Sequence, residues 1–394
     1  MNPDERRQWG VLLGIVCLLV GWNYWLDKFF FSSPFALFGG GFHDFGDYYL
    51  AAEAWLSHAN PYVASPFFIY PPTSLPFFAL YAQEPFHFAA QLWWITYFTC
   101  FTLATAWLLL TLKNNDRRLL YATIAAFLFF TSYPLLVLFQ SGQVDLLAEA
   151  LAILSLAFQR SKHDTVSAVM LAFAVLLKGP AVLLLAYFVL FRRDFSYLLR
   201  FLLSAGVIVG VSLLIVPVGD YWYYFIHVMP TFSGVLAFNY NQSIVGLLAL
   251  AHLNYIAPVV SLAGYVLLCV FSYWAGSLSR RMPSNLESLS SDLIFLVNVL
   301  VMLLFNPKST IYPYVWVILP LALFLSGILM EPVRPGWLVI VGLGTFLLNS
   351  NLAPSFFSYK VLPLEIIGNI MTTACLVILY IRPSAAFLNR SVKQ

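Results

Sequence analysis

Of 394 residues, 61% are hydrophobic and only 9% charged, against roughly 25% charged in an ordinary soluble domain. That balance excludes a chain whose main solvent is water. The formal net charge of +3 comes without a basic stripe for tracking phosphates, which excludes a nucleic-acid partner.

The charges are clustered and leave apolar runs of about 18 to 25 residues, the length an α-helix needs to cross a hydrocarbon core of about 30 Å. Helices are expected because a spanning backbone must satisfy its own hydrogen bonds, and closed barrels read as short alternating strands instead. The first run, Val11 to Trp25, lacks a small-residue cleavage site behind it and reads as a retained span. Further apolar stretches centre near positions 100, 129, 151, 171, 186, 208, 267, 298, 320, 344 and 373. With the one near 18 they predict an all-α polytopic membrane protein with about twelve transmembrane helices. Pro72 to Gln83 reads as a re-entrant helix or part of another span. The runs on either side of Lys178-Gly179-Pro180 read as a broken helical hairpin.

Positive charge orients this layout. With the N-terminus inside, the cytoplasmic segments collect sixteen of the twenty Lys and Arg, including Arg117, Arg160, Arg192, Arg193 and Arg200, and only Lys28, Lys178, Lys308 and Lys360 fall outside. One miscounted span would send every later loop to the other side, so the asymmetry predicts both termini in the cytoplasm. The whole chain, 1–394, is expected to form one domain. The outer face receives two long loops, 28–87 and 218–257, and loops of that length are usually functional. Cys17, Cys100, Cys269 and Cys375 lie far apart in apolar runs and read as packing residues.

The first long loop carries His43-Asp44-Phe45-Gly46-Asp47-Tyr48-Tyr49, then a stretch from Tyr48 to His58 that reads as an interfacial helix, ended by Asn60-Pro61-Tyr62 and followed by Tyr70-Pro71-Pro72. Asp44 and Asp47 sit where the dipole of that helix favours negative charge, so helix capping alone would account for them. Other polar groups recur on the same side: Ser141-Gly142-Gln143-Val144-Asp145, the Lys178 break, Asn239-Tyr240-Asn241-Gln242-Ser243 and Asn306-Pro307-Lys308-Ser309. Polar groups at membrane depth are expensive, and their recurrence at one side points to a shared cavity. Lys178 either snorkels outward or binds a lipid phosphate, for which a compact ammonium is suited. Glu149, four residues after Asp145, shares its helix face and reads as a buried carboxylate bonded to neighbouring spans. Five of the six histidines fall on or near the outer side without metal-binding spacing, and no phosphate loop, nucleophile elbow or dinucleotide fingerprint is present. No metal or cofactor is expected.

The series Asp44-Phe-Gly-Asp-Tyr-Tyr, Asn60-Pro61-Tyr62, Tyr70-Pro71-Pro72, Gly142-Gln143-Val144-Asp145, Lys178 with Pro180, Arg192-Arg193, Asn241-Gln242-Ser243 and Asn306-Pro307 resembles glycosyltransferase family 87 over roughly residues 40 to 330. These are multi-span enzymes of the C-type (GT-C) fold that use polyprenyl-phosphate sugars. The resemblance implies that Asp44 is the catalytic base and that mannose moves to a lipid or glycan acceptor with inversion on the extracytoplasmic face. Lys178 and Lys308 would then hold the donor phosphate. Asp47, Tyr48, Tyr62, Tyr70, Gln143, Asp145, Asn241, Gln242 and Asn306 would contact substrates. Two positions depart from the family's habit: Tyr312-Pro313-Tyr314 stands where a histidine is common, and Asp145 where an asparagine is. The competing class is a multi-span transporter or lipid flippase, which would use the same cavity to carry a substrate across; such proteins usually show internal repeats, and none is evident here.

Overall fold

The structure, a computed structural model, describes residues 43–233, 241–282, 284–310, 312–330, 342–345, 348, 367–374 and 376–378. The span centred near position 18, Lys28, Asn239, Tyr240, Arg334, Lys360, Cys17, Cys375 and both termini lie outside the described residues, as does most of the stretch centred near 344.

Every regular element among the described residues is helical. The loop expected on the outer face folds into α1 (His43–Leu56), α2 (Pro61–Ala64) and α3 (Leu75–Ala82), then α4 (Phe86–Thr111), α5 (Asn115–Thr131), α6 (Tyr133–Ser141), α7 (Asp145–Arg160) and α8 (Asp164–Leu177) follow. After Lys178 the chain makes a 3-10 turn (Gly179–Leu184) and a π-helical segment (Ala186–Phe191) before α9 (Phe195–Ser212), α10 (Val218–Tyr223), α11 (Ile244–Leu250), α12 (Ala257–Ser279) and α13 (Ser284–Phe305). A 3-10 stretch, Tyr312–Val317, leads into α14 (Ile318–Ile328).

Four of these helices, at Phe86–Thr111, Phe195–Ser212, Ala257–Ser279 and Glu287–Phe305, are long and apolar enough to cross a bilayer. They carry the stretches expected near positions 100, 208, 267 and 298. Those near 171, 186, 320 and 373 fall in shorter apolar helices. Large apolar side chains stand exposed along α4 (Ile95, Leu103, Leu110), α9 (Leu199, Leu203, Val207) and α12 (Val259, Leu262, Val266, Val270). Aqueous surfaces rarely hold such continuous apolar faces. Lipid is the solvent that suits them, so the chain is a membrane protein.

The inner faces are close-packed. On α4, Trp93, Tyr97, Phe101, Ala104 and Leu108 form a buried stripe at helical spacing that packs on α7. Gly276 of α12 lets that helix meet the π-helical segment, where a Cβ would lie 2.0 Å from the Phe191 carbonyl oxygen. On α13 the buried Asn298 bonds Ser272 and the Ile294 carbonyl, so its polar atoms are satisfied away from lipid.

The loop expected on the outer face packs one side of its first helix against the body of the protein. Phe45, Tyr48, Ala51 and Ala52 of α1 are fully buried, and the two alanines allow close packing on α3. Among the described residues the helix already runs from His43, five residues before the apolar periodicity suggested, and the chain turns after it where His58 takes a left-handed φ of 61°. Asn60 then caps α2, accepting from the Tyr62 and Val63 amides at 2.9 and 3.3 Å, with Pro61 in the first turn. The stretch Pro72 to Gln83 becomes a 3-10 turn and the eight-residue α3, which is too short to cross a bilayer.

The charged residues divide between the two ends of the helices. At one end Asp292 of α13, fully buried, accepts from Arg117 of α5 and from Arg160 of α7. Arg200 lies 3.6 Å from Asp164 and 3.4 Å from Asp194. The two ends of segment 164–194 therefore meet at this arginine, and Lys178 is the turn of the expected hairpin. Asp145 opens α7 at the opposite end from Arg160, about 22 Å away at 1.5 Å per residue.

Removing a buried counter-charge leaves its partners uncompensated at about 3–5 kcal/mol. Asp292→Ala should lower thermal stability in detergent by that amount. Arg200→Ala, at a half-exposed pair, should change it by less than about 1 kcal/mol.

Candidate functional site

The turn between α6 and α7 sets the geometry. Ser132 caps α6, and Gly142, with φ of 74°, ends it in the left-handed region that a residue with a Cβ rarely adopts. The next residues are held from outside the turn: the Trp93 indole donates to the Gly142 carbonyl at 2.9 Å, and the Tyr97 hydroxyl donates to the Gln143 carbonyl. With its backbone so fixed, Gln143 presents its side chain to the first outer loop.

The Gln143 Oε1 accepts from the Tyr48 hydroxyl at 2.9 Å and the Tyr70 hydroxyl at 3.1 Å, and the two hydroxyls are themselves 2.9 Å apart. The amide is thereby oriented, since an oxygen that accepts twice leaves the Nε2 to face elsewhere. Gln143, Lys178 and Ser141 are the neighbours of the Asp44 carboxylate. Burial pushes the Asp44 carboxyl above the ordinary carboxylate range, with Gln143, Lys178 and Ser141 pulling the other way. Asp44 stands in the first turn of α1, as a cap would, and it also faces the site. Asp47, one turn on, accepts from Ser65 at 3.0 Å and ties α1 to the segment after α2.

One turn deeper lies an ion pair. Lys178 adopts extended backbone angles between α8 and the 3-10 turn, and its Nζ lies 2.7 Å from Asp145 Oδ2. The other Asp145 oxygen accepts from the Trp316 indole at 3.2 Å. Asp145 is closed off, whereas the lysine side chain keeps 20% of its surface open, between the rings of Tyr70 and Tyr312 at 6.0 Å from each centroid. An ammonium has three donors. One is used by Asp145, which leaves the others for an anion.

The remaining expected site residues form a separate brace. Asn241 Nδ2 donates to the Pro307 carbonyl at 2.7 Å, the Gln242 amide to the Ser309 carbonyl at 2.6 Å, and Tyr314 to the Gln242 carbonyl at 2.5 Å. The Asn306 side chain accepts from the Lys308 amide at 3.2 Å. Lys308 sends its ammonium to the Thr231 carbonyl at 2.9 Å. These contacts fasten the 306–309 turn to the 241–243 turn. Glu149 is buried one turn below Asp145, with one oxygen 3.5 Å from the Leu319 amide. Tyr62 is also buried, and its hydroxyl donates to the Tyr70 carbonyl at 2.8 Å. Trp93, Tyr97 and Trp316 are contributors that sequence reading missed, because indoles and phenols in apolar runs look like ordinary membrane aromatics until a partner is known.

Lys178→Met should destabilise the fold by about 3–5 kcal/mol because Asp145 is left buried and unpaired. The double variant Lys178→Met/Asp145→Asn should recover most of that loss in thermal denaturation. If the single variant melts like the parent, the ion pair does not hold this turn.

The profile of glycosyltransferase family 87 matches residues 68–307, more than half of the chain. A search of curated proteins found no match. The matched region contains Tyr70, Gln143, Asp145 and Lys178 and begins after Asp44, which is joined to them through Gln143. On this match the chain belongs to glycosyltransferase family 87 and is a membrane glycosyltransferase.

Proposed function

We propose that the chain transfers a sugar from a polyprenyl phosphate to a lipid or glycan acceptor on the extracytoplasmic face, with inversion at the anomeric carbon. What supports this reading is that the Asp44 carboxylate has both Gln143 and the Lys178 ammonium as neighbours. A base and a cation at neighbouring positions are what displacement of a phosphate leaving group needs.

The Asp44 carboxylate takes the proton from the acceptor hydroxyl as that oxygen bonds to the anomeric carbon. The bond between that carbon and the phosphate oxygen breaks, and its electron pair leaves with the polyprenyl phosphate. Negative charge grows on the phosphate during the step, so the Lys178 ammonium stabilises the transition state more than the ground state. Asp145 keeps the ammonium in place, and Trp316 keeps Asp145 in place. Gln143, oriented by Tyr48 and Tyr70, holds the carboxylate for proton transfer. A lipid-borne donor also accounts for a chain without a nucleotide-binding motif, since its tail can lie along the exposed apolar faces of the helices. Mannose is the sugar that the family resemblance favours, in a C-type arrangement of spans.

Asp44→Asn should lower transfer from radiolabelled polyprenyl-phosphate mannose in membranes by about 10²- to 10⁴-fold, the usual contribution of a general base; an unchanged rate rejects the assignment. Proton removal needs the ionised carboxylate, so kcat/KM should fall as pH drops through the Asp44 pKa. Because burial raises that pKa, the acid limb should centre above the ordinary aspartate value of about 3.9. The residual rate of Asp44→Asn should lack the limb.

A further inference from the structure

A second cleft lies between the end of α1 and the start of α10. It has a volume of about 400 Å³, within the usual range for small-ligand sites, and is lined by Trp55, His58, Asn60, Asp220, Trp222 and Tyr223, together with His227. From Asp44 to Trp55 along α1 is about 16 Å at 1.5 Å per residue, so this is not the transfer site.

We infer that this cleft binds the carbohydrate of the acceptor at sugar units remote from the hydroxyl that is glycosylated. The inference rests on the proposed transfer for its biological role, but the binding itself does not. Hexoses present apolar C–H faces and hydroxyl edges, and the lining alternates in the same way. Trp55 is half-buried and Trp222 is 70% exposed, so these indoles keep surface open to a sugar, with Tyr223 as the wall between them. Between them, the side chains of His58, Asp220 and His227 make no hydrogen bond or ion pair among the described residues, leaving donors and acceptors for hydroxyls. An acyl tail would leave these polar groups unsatisfied, and the Asp220 carboxylate would repel a phosphate. A metal is a poor occupant too, since no group of three suitable side chains forms among the described residues.

The walls are built to stay in place. Tyr223 stacks on Tyr62 with ring centroids 5.8 Å apart and planes 11° from parallel, and its other neighbour is the His227 ring at 4.6 Å. Tyr62 reaches the Tyr70 carbonyl, and Tyr70 reaches Gln143. A continuous line of contacts therefore runs from the cleft to the residue that holds Asp44. His58 enters the lining through its left-handed backbone, an unfavourable conformation for a residue with a Cβ.

The test uses the full chain in detergent, titrated with mannotriose and, separately, maltotriose, with binding read by saturation-transfer NMR. Binding of at least one trisaccharide is expected, weakened about tenfold by Trp222→Ala and by Asp220→Asn. It should be unchanged by Asp44→Asn, and by Phe225→Ala, which removes an exposed ring on the neighbouring turn that does not line the cleft. If neither trisaccharide binds, or if binding ignores both cleft substitutions, the inference is overturned. A Trp222 that only anchors the protein at the bilayer would give the second result. A transfer rate that ignores Asp44→Asn would reject the proposed base and leave the trisaccharide result standing.

Discussion

The Lys178–Asp145 ion pair is the constraint around which the site is arranged. Neither charge could sit alone at this depth among apolar helices, because an unpaired ion there would lack both water and a counter-charge. Together they join the turn after α8 to the first residue of α7, and the Trp316 indole joins that pair to the segment before α14. Three parts of the chain far apart in sequence are thereby fixed at one point. A lysine held in this way keeps its position whether or not an anion is present, which is the preorganisation that electrostatic stabilisation of a leaving group requires.

The opposite end of the helices uses the same chemistry for a different purpose. Asp292 holds Arg117 and Arg160, two cations on one buried carboxylate, and so fastens α5, α7 and α13 together. That carboxylate is fully buried and both of its oxygens are taken up by the two guanidinium groups. At the Lys178 end a single cation meets a single carboxylate, and a second carboxylate, Asp44, is a neighbour of that lysine. Composition does not separate the two, since both are built from ordinary Asp, Lys and Arg; the Asp44 neighbour is what marks the proposed catalytic end.

The aromatic residues divide along similar lines. Tyr48, Tyr62 and Tyr70 are buried, with hydroxyls that orient Gln143 or fasten the loop, and they act as supports for the site. Trp55, Trp222 and Tyr223 keep surface open to the second cleft. All six are aromatic residues in apolar surroundings, and only their packing distinguishes them.

The sequence by itself determined the solvent and the class of fold. Sparse charge and long apolar runs require helices in lipid, and a lysine followed by Gly179-Pro180 requires a break where it occurs. Gly142, Asn60 and Pro61 could be read as local punctuation because the backbone angles they favour are properties of single residues. Tertiary structure alone decided that Asp145 pairs with Lys178, that Gln143 lies beside Asp44, and that Asn241, Gln242 and Asn306 stand where the 241–243 turn meets the 306–309 turn. It also decided which tryptophan reaches a carboxylate. The physical reason is that a hydrogen bond or ion pair depends on where two distant segments meet, and apolar helices of similar composition offer many meeting points that only the packed bundle selects among.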